Sequence, residues 1–156
     1  MTVFEKIQQL LTERGIAFKV LHHEATRTSE ASAKARGESI EVGGKAIVMK
    51  VDDGFKLFVL SAALKIDSQR IKEHFHAKSI RFATPEELLS LTSLPPGSIP
   101  PFGRPIVDLD LYADGSIRRH ETIAFNAGSL TDSIVMSTTD FLAAANPILL
   151  DFSRQA

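Results

Sequence analysis

Cysteine is absent from all 156 residues, and that single absence excludes disulfide frameworks, thiolate nucleophiles, Cys-ligated zinc and iron–sulfur clusters. It fits a reducing compartment. No apolar run reaches the roughly 18 residues that cross a bilayer. Met1-Thr2-Val3-Phe4-Glu5-Lys6 leads into an amphipathic pattern rather than the apolar stretch of a signal peptide. The expectation is a cytoplasmic protein with no membrane attachment. An excess of one charge is missing too, since 18 Lys+Arg against 19 Asp+Glu leave a net charge of −1. Domains that grip long stretches of nucleic acid carry a clear basic excess. That class is excluded, whereas a domain reading a short single-stranded end is not.

Hydrophobic residues make up 44% of the chain and charged residues 24%, enough apolar material for the core of one domain spanning residues 1–156. Helix signals come with their caps. Thr2-Val3-Phe4-Glu5 is a capping box followed by apolar residues at helical spacing and a stop at Gly15. Further helices are predicted from Ser29 to Arg36, from Asp67 to His76, from the capping box Thr84-Pro85-Glu86-Glu87, and from Ser137. Strand-like runs cover Ala17 to Leu21, Lys45 to Val51, Phe55 to Leu60, Ser79 to Phe82, Pro105 to Asp110, Thr122 to Asn126, Ser133 to Ser137 and Ile148 to Phe152. Asp52-Asp53-Gly54 and Asp114-Gly115 are read as hairpin turns. Hairpins demand antiparallel pairs, so the predicted class is α/β with a mixed, curved, largely antiparallel sheet and flanking helices.

Few residues present themselves for chemistry. Gly43-Gly44-Lys45 invites a phosphate-loop reading, but Ser39 and Ala46 stand where a Walker A motif needs Gly and Ser or Thr. What survives is a lysine at the mouth of the apolar strand Ala46-Ile47-Val48-Met49, either a solvated strand end or a point charge for a phosphate or oxyanion. His22, His23, His74, His76 and His120 lack the spacing of a zinc site, so no metal is expected. His23 stands out because it follows a strand and precedes a turn. No Gly-x-Ser-x-Gly elbow frames a serine nucleophile, although Gly128-Ser129 after a strand could offer backbone N–H groups to an anion. Leu94 to Gly103 holds four of the seven prolines, which stiffens a loop. Between Lys65 and Arg81 five basic residues face Asp67 and Glu73, a solvated helix face or a guide for a phosphate backbone.

Several of these segments stand in a fixed order: His23 with Thr28-Ser29-Glu30-Ala31, Arg36-Gly37, Gly44-Lys45-Ala46-Ile47-Val48-Met49-Lys50, and Val59-Leu60-Ser61-Ala62. Arg81-Phe82-Ala83-Thr84-Pro85-Glu86-Glu87, Gly97-x-x-x-Pro101 with Phe102-Gly103, Phe125-Asn126-Ala127-Gly128-Ser129, and Ile134-Val135-Met136 before Asp140 complete the series. Over nearly the whole chain this resembles the YbaK family, the prolyl-tRNA-synthetase-associated editing domain, and in particular its free-standing ProXp-like deacylases. The resemblance implies that family's mixed-sheet fold and hydrolysis, in trans, of the ester of a mischarged aminoacyl-tRNA. It makes Lys45 the functional lysine and the Gly97-x-x-x-Pro101 loop the amino-acid pocket. The substrate-binding set expected on this basis is His23, Thr28, Gly97, Ser98, Ile99, Pro100, Pro101, Phe102, Gly103, Ala127, Gly128 and Ser129. Lys65, Arg70, Lys72 and Lys78 are the candidates for the tRNA backbone. The expected partners are the tRNA 3′ end and an aminoacyl-tRNA synthetase, with no cofactor, and the expected amino acid is Ala, Ser or Thr. The competing expectation is a non-catalytic module that binds the aminoacyl end or a small molecule and docks on a synthetase.

Overall fold

In the computed structural model, which describes residues 1–156, every α-helix begins after a residue whose side chain caps it. Thr2, Thr28, Asp67, Thr84 and Ser137 each accept the backbone N–H three residues on. They open α1 (Val3–Glu13), α2 (Ser29–Arg36), α3 (Ser68–Phe75), α4 (Pro85–Thr92) and α5 (Thr138–Ala145). Such a cap is worth about 1 kcal/mol. In α1 and α4 the return bond from Glu5 or Glu87 completes the capping box. Asp67 and His76, predicted as helix ends, are the caps of α3 rather than its first and last turns.

The strands are β1 (Phe18–His22), β2 (Gly44–Val51), β3 (Gly54–Ser61), β4 (Lys65–Ile66), β5 (Ile80–Phe82), β6 (Leu111–Ala113), β7 (Thr122–Asn126), β8 (Asp132–Ser137), β9 (Ile148–Leu149) and β10 (Ser153–Arg154). They form a five-stranded sheet ordered β5-β2-β3-β6-β9, a three-stranded sheet ordered β1-β8-β7, and the pair β10-β4. Pairing is antiparallel except at β3–β6 and β6–β9. The mixed, mainly antiparallel class therefore matches expectation, with the strands divided between two sheets. A parallel bridge from Gly43 to Ala124 joins them.

β2 and β3 form the predicted hairpin, in register from Gly44 opposite Ser61 to Val51 opposite Gly54. Its turn is fixed by the Asp52 carboxylate, which accepts from the backbone N–H groups of Lys78 and Ser79 at 2.9 and 3.0 Å. β3 is buried on both faces, as a continuous apolar run implies. Alternate residues go to opposite sides. Leu57 and Val59 join the larger cluster with Ile7, Leu11, Phe102, Phe125 and Phe141, while Phe58 and Leu60 pack with Ile71, Tyr112 and Phe152 beneath α3.

Three predicted features come out differently. Pro105 to Asp110 is a series of turns rather than a strand: Ile106 and Val107 both donate to the Gly103 carbonyl, and Arg104 bonds Asp108 at 2.7 Å. Asp114-Gly115 does not turn a hairpin. Asp114 caps a 3-10 helix over Gly115–Arg119, and β6 before it runs parallel to β3. Ile148 to Phe152 is broken, with β9 pairing to β6 and β10 returning to β4. No helix is long and apolar enough to cross a membrane.

Candidate active site

Where the two sheets meet, a cleft of about 90 Å³ opens between α2, the start of β2, the end of β7 and the Gly97 loop. Its apolar wall is Ala33, Ile40, Ala46, Ala62 and Ile99, and its polar groups include Lys45, Arg36, Ser32, Thr28 and Asn126. Two glycines let the walls approach. A Cβ on Gly43 would sit 3.0 Å from Ala62 Cβ, and one on Gly44 would sit 2.7 Å from Ile123 Cδ1. The seam therefore closes only around bare backbone.

A polar chain lines one side. Arg36 donates from Nε to Ser133 Oγ and from Nη2 to Asn126 Oδ1, both at 2.9 Å. Asn126 in turn donates from Nδ2 to the Gly97 carbonyl at 2.6 Å. Gly97 holds a φ of 87°, in the left-handed region that only glycine enters freely. One asparagine thus ties the end of β7 to both α2 and the proline-rich loop. Burial pushes the Arg36 guanidinium down to about 10, with Glu38 opposing, so it stays cationic at neutral pH. Burial also lowers the half-buried Lys45 ammonium, Lys65 adds to that, and Glu30 opposes it. Two cations therefore line a small, partly desolvated cleft, and neither forms an ion pair. Anions are favoured there.

Residues 23–144 match the family model described as the aminoacyl-tRNA editing domain. The chain belongs to this family. It is 35% identical over 158 aligned residues to the multifunctional Ser/Thr-tRNA deacylase ProXp-y of Escherichia coli (strain K12), covering 97% of this chain and 93% of that protein. It is also 35% identical over 101 residues, 65% of this chain, to a stretch making up 18% of the proline–tRNA ligase of Shouchella clausii. Among solved structures, a candidate trans-editing enzyme for prolyl tRNA synthetase superposes with a TM-score of 0.83 at 25% identity, over 99% of this chain and 98% of that one.

The editing domain brings Lys45, Thr28, Gly97 and Ile99 together around the cleft. His23 stands one layer behind the wall, its Nε2 at 2.8 Å from Ser133 Oγ. The rest of the Gly97 loop turns inward: Ser98 donates to the Pro95 carbonyl at 2.8 Å, Pro100 and Pro101 are buried, and Phe102 packs edge-on to Phe125 and Phe141. Gly103 lies against the Leu109 backbone. Ala127 is fully buried, Gly128 abuts Val3, and Ser129 donates to Asp132 Oδ2 at 2.7 Å. None of these residues lines the cleft. Of the basic stretch, Lys65 is close enough to perturb Lys45, Arg70 leans on Asp67 at 3.6 Å, and Lys72 and Lys78 lie along and beyond α3.

Arg36, Asn126, Ser32 and the alanine wall escaped the sequence reading of the site. A signal existed for two of them: a polar residue ends the apolar β7 at Asn126, and an arginine stands directly before the left-handed Gly37 that stops α2. Nothing local indicates that these two side chains meet across 90 residues of sequence.

Proposed function

We propose that this editing domain hydrolyses the ester of mischarged aminoacyl-tRNA in trans, and that the amino acid removed is small: Ser, Thr or Ala. The observation that carries the reading is the cleft itself, small, walled by Ala33, Ala46, Ala62, Ile40 and Ile99, and lined by Lys45. A small cleft with three alanines on its wall suits a small side chain. The name of the E. coli relative, a Ser/Thr-tRNA deacylase, supports the same substrate class.

The chemistry needs no nucleophilic side chain. An aminoacyl ester is already activated, so a site that holds it against a water gains much of the rate from proximity and orientation. Lys45, with its point charge at the cleft mouth, takes the 3′-terminal phosphate and fixes the register of the terminal adenosine. The exposed Arg27 and Lys65 extend the positive rim outward, and Arg70, Lys72 and Lys78 are the more distant backbone contacts. Gly97 and Asn126 define how deep the amino acid goes. The domain, residues 1–156, works on tRNA 3′ ends in the cytoplasm, and the similarity to segments of proline–tRNA ligases makes a synthetase the partner to test for docking.

Incubation of the purified protein with a panel of aminoacyl-tRNAs tests the reading. Loss of Ser, Thr or Ala ester within minutes, with the cognate bulky esters spared, is the expected result. Saturable binding without ester loss would replace the enzyme with a binding module.

A further inference from the structure

Arg36 is a half-buried cation that Glu38 influences without forming an ion pair with it. It takes part in none of the ion pairs of the chain, yet an unpaired charge in a partly desolvated wall is costly. Its partners hold it along one edge. Ser133 Oγ takes Nε and Asn126 Oδ1 takes Nη2, both at 2.9 Å. Behind Ser133, His23 Nδ1 lies 2.8 Å from the Glu24 carbonyl and His23 Nε2 lies 2.8 Å from the serine hydroxyl. A carbonyl can only accept, so in neutral His23 the proton is on Nδ1 and Nε2 is the acceptor. Ser133 has one proton to give, and the nearer acceptor is His23, since Asn126 Oδ1 is 3.2 Å away and already occupied by Arg36. A serine lone pair is therefore left facing Arg36 Nε. The far edge of the guanidinium is free: Nη1 has no hydrogen-bond partner in the protein, and a Cβ on Gly43 would lie 3.6 Å from it.

We propose that Arg36 is a second catalytic cation, donating from Nη1 to the ester carbonyl oxygen as that oxygen becomes an oxyanion, with Ser133, Asn126 and His23 as its positioning residues. The inference rests on the deacylase reading given above. Position assigns the carbonyl to this edge: Nη1 lies beside Gly43, inside the ring of residues that lines the cleft. On the reading given above the aminoacyl group enters this cleft, and the phosphodiester is left to Lys45. In the step itself the water oxygen bonds to the carbonyl carbon while the C=O π pair moves to the oxygen facing Nη1. The tetrahedral species then re-forms C=O and breaks the bond to the ribose oxygen, which takes the proton released by the water. The products are a free amino acid and the 3′-terminal adenosine with both hydroxyls. A planar fork fixed before substrate arrives stabilises such charge without reorganising.

Arg36→Gln tests this with two non-hydrolysable analogues of seryl-adenosine, one with a planar amide and one with an anionic tetrahedral phosphonate in place of the ester. Removing one oxyanion donor costs about 10²-fold. The expected result is that loss in single-turnover rate and in phosphonate affinity, with amide affinity within about threefold. Equal losses for both analogues, or a raised half-saturation at unchanged rate, would overturn the proposal. Should Arg36→Gln fail to fold, Ser133→Ala decides: loosening the fork is expected to lower the phosphonate-to-amide affinity ratio about tenfold, and an unchanged ratio overturns it. Wild-type protein that spares every mischarged tRNA would instead remove the deacylase reading, whereas an active wild type with a fully active Arg36→Gln variant removes only the role of Arg36.

Discussion

Alanine at position 97 perturbs the site through backbone alone. Gly97 sits at a φ of 87°, and an added Cβ would lie 3.2 Å from the Arg27 carbonyl oxygen, 3.3 Å from Arg27 Cα and 3.4 Å from Leu130 Cδ2. The left-handed conformation costs a non-glycine residue about 1 kcal/mol or more. The two nearest neighbours are backbone atoms and cannot swing aside. Easing the contact by a few tenths of an ångström stretches the 2.6 Å bond from Asn126 to the Gly97 carbonyl, which adds about 1 kcal/mol. The sum, about 2 kcal/mol, corresponds to a fall in Tm of about 4 to 8 °C for a chain of this size. Because Asn126 also holds Arg36, the deacylation rate is expected to fall about tenfold or more through misplacement. Thermal unfolding and single-turnover deacylation measure the two effects, and Pro96→Ala, at an exposed position one residue away, is the control. A Gly97→Ala protein with wild-type Tm and wild-type rate would refute both the strain argument and the link from this loop to the arginine.

Other perturbations separate binding, chemistry and stability. Lys45→Ala should abolish deacylation in a single-turnover assay while circular dichroism stays native, and residual binding should lose part of its salt dependence, as expected when a phosphate contact goes. Asn126→Ala should lower the rate more than the affinity, because it frees the Arg36 fork and the Gly97 carbonyl together; a pure affinity loss would contradict the network. Asp114 is a stability test remote from the chemistry. Burial alone would raise its carboxyl, but donors from Ser116, Phe152 and Ser153 outweigh this and hold it below the usual carboxylate range. Its contribution is thus present above the unfolded value of about 3.9 and lost as pH falls through the lower folded value. Asp114→Ala should cost about 3 kcal/mol in urea unfolding at pH 7 and flatten the acid limb of the stability profile; a limb unchanged below about pH 4 would count against this assignment.

What the sequence disclosed follows the range of the forces involved. Helix starts were legible because a cap acts over three residues, as at Thr28 with Ala31 and Thr84 with Glu87. The β2–β3 hairpin was legible because its turn and alternation are local. Pro105 to Asp110 misled because Val107 and Leu109 are buried, and Asp108 and Asp110 exposed, with strand periodicity, although the backbone turns there. The parallel pairing of β6 with β3 has no local signature. In the site, Lys45 and Gly97 could be picked out one at a time. The Arg36–Ser133–Asn126 assembly could not, since it exists only once α2, β7 and β8 have docked.

The bridge from Gly43 to Ala124 carries a consequence for how such a site could change over time. Neither sheet holds the cleft alone, as Lys45 enters from one and Asn126 from the other. A loop transplanted onto another scaffold would bring half a site. A shift of the two sheets past each other by a fraction of a side chain would widen or narrow the cleft for every substrate at once, with no residue on its surface replaced. Amino-acid preference in this architecture can therefore drift through packing residues such as Ile123, which fills the space beside Gly44, and the determinants of selectivity are to be sought beneath the cleft as well as in it.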